Sequence, residues 1–166
     1  MKKINVILVL LIAFFGCETS QPEIDNIPAS KKPILQNKDV IYFVNDKDNN
    51  LADTFVVSKK EDYQMYSGSL IWERIILNYE NVNKQSTLNF EVTILGAHRF
   101  AVHDYIPSNK YEMFDIEIDS VKYPVFVVEN TSRKTNALPD SIYYSYKEGI
   151  LGYYYSDTIY NRTKTF

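Results

Sequence analysis

Two stretches set the pattern of the chain. In Thr87 to Leu95, TLNFEVTIL, the apolar residues Leu88, Phe90, Val92 and Ile94 alternate with Asn89, Glu91 and Thr93. In Met113 to Ser120, MFDIEIDS, Phe114, Ile116 and Ile118 alternate with Asp115, Glu117 and Asp119. Successive side chains of a strand point to opposite faces, so a period of two predicts a strand with one buried and one wet face. Asp39 to Val44, Leu51 to Ser58 and Phe100 to Tyr105 are shorter runs rich in strand formers. Leu70 to Tyr79 fits both periods: Trp72, Ile75, Ile76 and Tyr79 make a helical stripe, while Ile71, Glu73, Ile75, Leu77 and Tyr79 make one strand face. Its β-branched content favours the strand.

Between these runs lie the breaks. Asn45 to Asn50 is a turn by composition, and the polar stretch Lys59 to Ser69, which holds Gly68, predicts a loop. Val121 to Val128 contains Pro124, which cannot donate to a ladder, so the strand starts after it or lies at an edge. Thr131 to Pro139 predicts another polar loop. Ser141 to Lys147 and Ile150 to Ser156 flank Glu148-Gly149 and form the strongest hairpin signal. Tyr160 to Phe166 adds a last strand or frays. About eight to nine short strands without a long helix predict an all-β, antiparallel domain, either a sandwich or a partly open barrel.

The amino-terminal segment has a different pattern. Met1-Lys2-Lys3 is followed by Ile4 to Phe15, twelve residues with only Asn5 polar, and then Gly16, Cys17 and a polar stretch. A charged start, a short apolar core and a small residue before the break are the parts of an export signal. The core is well short of the roughly 20 apolar residues of a membrane-spanning helix. Cys17 is the only cysteine, so an internal disulfide is excluded. Leu11 to Cys17, LIAFFGC, resembles a bacterial lipobox of the looser kind found in Bacteroidetes. Gly16 matches the small residue before the cut. Phe14 and Phe15 depart from the usual Leu and small residue. The resemblance implies that residues 1–16 are removed and that Cys17 is acylated with fatty acids such as palmitate; polar, proline-bearing composition predicts that residues 17–37 form a flexible tether to a single β domain over 38–166. Glu18, rather than Asp, after the cysteine implies sorting to the outer membrane. The tether carries Pro22, Pro28 and Pro33.

A second resemblance lies at the other end. Ile118 to Asn130 and then Ile142 to Tyr155 are similar to the carboxy-terminal half of small Bacteroidetes lipoproteins, with Tyr143, Tyr146, Gly149, Ile150 and Tyr153 filling the hairpin pattern. It implies a β fold and an envelope location, and carries no chemistry.

Charge and composition narrow the functions further. The chain has a formal charge of −3; without Lys2 and Lys3, 16 basic residues face 21 acidic ones, a charge of −5. A mildly acidic surface without a basic stripe argues against nucleic acid as a partner. His98 and His103, five residues apart, fall on opposite faces of any one strand, and a zinc site needs three or four convergent ligands. Asp46, Asp48 and Asn50 begin like a calcium loop, but Leu51 and Val57 stand where that loop needs glycine and glutamate. No phosphate-binding glycine loop, nucleophile elbow or dinucleotide fingerprint occurs. No catalytic, cofactor-binding or metal residues are therefore assigned, and an enzyme is disfavoured.

Tyrosine is the unusual component: there are 14, all after the signal. Tyr144, Tyr146, Tyr153, Tyr154 and Tyr155 crowd one hairpin on both faces, which marks them as candidates for an interaction surface. Asp119-Ser120-Val121, Asp140-Ser141-Ile142 and Asp157-Thr158-Ile159 resemble acceptor sites for Bacteroidetes O-glycosylation at Ser120, Ser141 and Thr158. The expectation is a lipid-anchored envelope domain of binding or structural type. Its partners are the membrane, through the anchor, and an envelope protein, a glycan or a hydrophobic ligand. The alternative is a carrier of a lipid-like molecule in the periplasm.

Overall fold

The computed structural model describes residues 21–47, 50–82, 88–96, 99–102, 113–118, 120–129 and 139–163. The strands are β1 (Glu23–Asp25), β2 (Val40–Asn45), β3 (Leu51–Ser67), β4 (Leu70–Asn81), β5 (Phe90–Leu95), β6 (Arg99–Val102), β7 (Phe114–Ile118), β8 (Val121–Glu129), β9 (Ser141–Ser145), β10 (Gly149–Tyr155) and β11 (Thr158–Arg162). They form one sheet in the order β6-β5-β4-β3-β2-β11-β10-β9-β8-β7, with β1 added beside β4. Every neighbouring pair is antiparallel except β1 with β4. The chain thus runs two meanders, β2 to β6 and β7 to β11, and joins them where β11 pairs with β2 through Tyr160–Asn45, Asn161–Val44 and Arg162–Phe43.

The sheet curls on itself without closing into a tight barrel. Its inner face is set by alternation: Ile41 and Phe43 on β2, Phe55 and Val57 on β3, Ile75, Leu77 and Tyr79 on β4, Phe90, Val92 and Ile94 on β5 are all buried. Phe55, Phe90 and Tyr153 meet across the interior, with Phe55–Phe90 at 5.2 Å and Phe90–Tyr153 at 5.5 Å between ring centroids. The two ends of the sheet also meet: Phe100 on β6 lies 5.1 Å from Phe126 on β8 and 4.5 Å from Tyr144 on β9. Each fully buried aliphatic or aromatic side chain contributes about 1.5–3 kcal/mol through lost apolar exposure. Offset and edge-on ring pairs add to it.

The strand reading of Leu70 to Tyr79 holds, since that stretch is β4. The loop expected over Lys59 to Ser69 does not exist. Residues 59–67 extend β3 to 17 residues and pair with β4 through Lys59–Leu77 to Ser67–Leu70. The polar side chains there reflect exposure rather than irregular backbone. Pro124 lies inside β8 at an edge: β9 pairs only with Phe126 to Glu129, so nothing on that side needs a donor from Pro124. The β10–β11 turn is built by Ser156 and Asp157 at φ 50° and 59°, the left-handed pair that a two-residue hairpin requires.

Residues 21–37, read from sequence as a tether, are packed against the sheet. Ile27, Pro33 and Leu35 are buried. Ile27 N donates to Glu73 Oε2 at 2.8 Å, and Lys32 Nζ pairs with Glu73 Oε1. Ile34 N donates to Lys147 O, and Lys38 N to Val57 O, each at 2.8 Å. This segment is a strap across the end of the sheet that carries the β3–β4 and β9–β10 turns. Gly96 permits the crossing, because a Cβ there would collide with the carbonyl of Asp25.

Gly149 stands at the same end with φ +78°, and a Cβ on it would overlap the Tyr79 hydroxyl and lie 2.6 Å from Leu35 Cδ1. Strain and overlap act together, so Gly149→Ala is expected to cost about 1–3 kcal/mol or more. Urea unfolding measures this; a variant as stable as the parent would show that the strap does not press on Gly149.

Candidate functional site

The tyrosine hairpin divides into core and surface. Tyr144 and Tyr153 are fully buried. Tyr146 and Tyr155 are half-buried and pack against the core, with Lys31 Nζ 5.1 Å above the Tyr146 ring. Tyr154 alone of the five lies on the outer face, where its hydroxyl donates to Asp157 Oδ1 at 3.0 Å. Burial removes Tyr144 and Tyr153 from any exposed surface. Aromatics occupy both faces because β10 is bulged: Ile150 pairs with Tyr144, but Gly152 pairs with Tyr143. The extra residue, Leu151, shifts the alternation so that Ile150 and Tyr153 both point inward.

Tyr154 is joined outside by residues that sequence reading did not single out. Tyr143 pairs with Gly152 and Val127, and Tyr154 with Ile159. Asn161 pairs with Val44, two residues from Tyr42. Phe114 on β7 meets the Tyr143 ring edge-on at 6.3 Å. Together Tyr42, Val44, Ile159, Tyr154, Tyr143 and Val127 form a half-buried apolar band across the outer face, extended by the exposed Phe114. A signal for it existed, since Tyr42 and Tyr143 alternate with the core residues Ile41, Phe43, Ile142 and Tyr144.

The interior holds one buried carboxylate pinned by two donors. Asp53 accepts from the Tyr153 hydroxyl at one oxygen and from Asn81 Nδ2 at the other. Both oxygens are therefore occupied, which makes the group a structural tie between β3, β4 and β10. Glu73 is the second buried acid, held by Ile27 N and Lys32. The Tyr144 hydroxyl, by contrast, has no hydrogen-bond partner among the described residues. Among them there is also no cluster of three or more His, Cys, Asp or Glu side chains placed to hold a metal. Cys17, Asp48, His98 and His103 lie outside the described residues. Of the glycosylation candidates, Ser120 is exposed in the β7–β8 turn, Ser141 is half-buried and Thr158 is buried.

A second surface stands out at the β3–β4 turn. Tyr63, Met65 and Tyr66 are 62%, 69% and 52% exposed, and Ile24 on β1 is 50% exposed. Tyr66 stacks on Trp72 at 3.7 Å between centroids and 14° between planes. At the base of this tip Arg74 makes a bidentate pair with Asp62, both contacts 2.7 Å. That pairing, with Lys60 beside it, holds the Asp62 carboxyl well below its ordinary value.

Burial pushes the hydroxyls of Tyr79, Tyr144 and Tyr153 above the ordinary tyrosine value near 10.0, and for Tyr153 the bond to Asp53 pushes further. An unfolded tyrosine ionises above that value while these three stay protonated. The unfolded chain then binds fewer protons, so stability is full below pH 10 and falls as pH rises above it, by about 1.4 kcal/mol per pH unit per tyrosine. Tyrosinate absorbance should appear in two steps, the second coinciding with loss of the β circular-dichroism signal. A single step near pH 10 with the fold intact would contradict the burial.

The two buried hydroxyls on β9 and β10 make opposite predictions. Tyr153→Phe removes a donor from a buried carboxylate and should cost about 1–3 kcal/mol. Tyr144→Phe removes an unpaired hydroxyl and should leave stability unchanged or raised. Equal losses in chemical denaturation would refute the distinction. No known protein family, curated protein or solved structure matched the chain when it was compared with them.

Proposed function

We propose that this chain is an exported, lipid-anchored domain of binding type, held at the outer membrane through Cys17. The outer tyrosine band is its docking face for an envelope protein or glycan. The observation that carries the binding part is the band itself: Tyr42, Tyr143, Tyr154 and Phe114 spread over the outer face of one sheet, partly exposed, with Val44, Ile159 and Val127 beside them and Asn161 and Gly152 in the same row. Monomer surfaces rarely leave a contiguous apolar stretch uncovered unless something docks there. Tyrosine suits such a face because its ring gives contact area and its hydroxyl a hydrogen bond. The carrier alternative is less well supported, since rings from β3, β5 and β10, and from β6, β8 and β9, fill the interior along the chains of contacts described above.

The anchor rests on the charged start, the apolar run and the lone Cys17 that ends it. Two or more acyl chains hold a protein stably on a membrane, whereas one gives marginal binding. Cys17→Ser is expected to abolish incorporation of labelled fatty acid and to leave the signal uncut; continued acylation would overturn the reading. For the face, Tyr143→Ser with Tyr154→Ser should keep the fold, read by circular dichroism, and lose crosslinking to envelope components in intact cells. Unchanged crosslinking would move the docking face elsewhere.

A further inference from the structure

The β3–β4 hairpin projects beyond its neighbours β2 and β5 at the end where the strap crosses, with only β1 beside it. β5 pairs with β4 only as far as Arg74–Leu95, yet β4 continues down to Leu70. Four residues at about 3.4 Å each carry the tip roughly 14 Å past that point. From Tyr63 to Trp72 the sequence is YQMYSGSLIW, ten residues without a charge. Tyr63 and Met65, the pair partners of Glu73 and Ile71, share one face of the tip with Ile24, the pair partner of Ile71 on β1. The charges at the base, Asp62 and Arg74, neutralise each other through their bidentate pair. The two hairpin strands thus carry no charge at the tip and expose Tyr63, Met65 and Tyr66, while β1 beside them adds the exposed Ile24 between two acids, Glu23 and Asp25.

The path of the chain says what covers it. Glu23 is the first residue of β1, and its amide donates to the carbonyl of Ser69, in the turn itself, at 2.9 Å. The described part of the chain thus begins beside the tip of this hairpin. Cys17 precedes Glu23 by six residues, and a fully extended chain spans at most about 3.3–3.6 Å per residue, so the acylated thiol stands within roughly 20 Å of the turn. Acyl chains on Cys17 must lie in the bilayer. The geometry points to the hairpin tip, with Ile24, Tyr63, Met65 and Tyr66, resting in the interfacial layer of the phospholipid bilayer as a second, non-covalent membrane contact. The inference depends on the lipid-anchor reading. Tyrosine is enriched at that layer because its ring is apolar and its tip polar. An apolar face seated about 5–10 Å into the boundary between headgroups and acyl chains needs no span. With no cationic side chain in the tip and Glu23 and Asp25 on β1 beside it, the contact draws on apolar burial and not on anionic lipid.

The test uses the full chain, acylated and reconstituted in vesicles of phosphatidylethanolamine and phosphatidylglycerol. With Cys17 blocked by lipid, Met65→Cys supplies a unique thiol for an environment-sensitive fluorophore. Val82→Cys, exposed at the opposite end of β4, supplies the control. The probe at 65 should shift to the blue and be quenched several-fold more by spin-labelled lipid than the probe at 82. Adding Tyr63→Glu should reverse the shift while the protein still co-sediments with vesicles. Acylated, co-sedimenting protein with both probes equally wet overturns the tip contact and leaves the anchor standing. Protein without acyl chains overturns the anchor and the tip contact with it. A blue shift that appears in detergent without lipid and grows with protein concentration assigns the tip to a second copy of the chain, and overturns the membrane contact.

Discussion

The fold depends on burying the inner face of a sheet that does not close into a tight barrel. The first and last strands of the pairing order, β6 and β7, are consecutive in sequence, so the path of the chain brings both sheet ends into one neighbourhood. An open sheet of this size would leave a long apolar face in water. Phe100 prevents that by packing on Phe126 and Tyr144 from the opposite end. Phe90 and Tyr153 do the same nearer the middle. These contacts reward the curl; the ladder hydrogen bonds alone would tolerate a flatter sheet. They also explain the aromatic excess, because rings reach across an interior that shorter side chains would leave open.

The curl leaves an end to cover, and the strap covers it. Ile27 and Leu35 contribute apolar surface there, and Glu73 fixes the path. Glu73 shares its strand face with the core residues Ile75 and Leu77, which would be a costly place for an acid without partners. The Ile27 amide and the Lys32 ammonium supply them, so strap and buried acid require each other. The β9–β10 turn is drawn in as well, through Ile34 N to Lys147 O and through Leu35 beneath Gly149.

Much of this was legible in the sequence. Period-two alternation located the core face of β5, and Glu148-Gly149 located the β9–β10 turn, where Gly149 takes a positive φ; on β7 the same alternation marks no core face, since Phe114 is exposed and Ile116 and Ile118 are only half-buried. Two features were hidden for physical reasons. The outer half of β3 reads as a loop because Lys59, Lys60, Glu61 and Asp62 follow one another and are held by ion pairs, leaving no apolar period to detect. The strap reads as a tether because it packs through only a few buried residues, Ile27, Pro33 and Leu35, spaced without a period. At the site, the crowd of tyrosines was visible, but their division was not. One bulged residue, Leu151, decides which ring is core and which is surface, and a single-residue register shift has no compositional trace.

The two surfaces are placed so that they do not compete. The tip lies at the end of the strands, whereas the tyrosine band runs across the outer face of β2 and β9 to β11, at right angles to that end. With the tip seated on a bilayer, the strands stand on end and the band faces sideways, along the membrane plane. Neighbours anchored in the same membrane are then the partners it meets most often. The turns at Asp46-Lys47 and Ser156-Asp157, tied together by Lys47 Nζ to Asp157 O at 2.8 Å, lie at the opposite end of the strands from the tip and are polar. A lipid anchor by itself leaves a domain free to tumble around its attachment. A strap that is packed on the sheet and begins beside the hairpin tip would remove much of that freedom. That loss of freedom is what would present the band in one orientation.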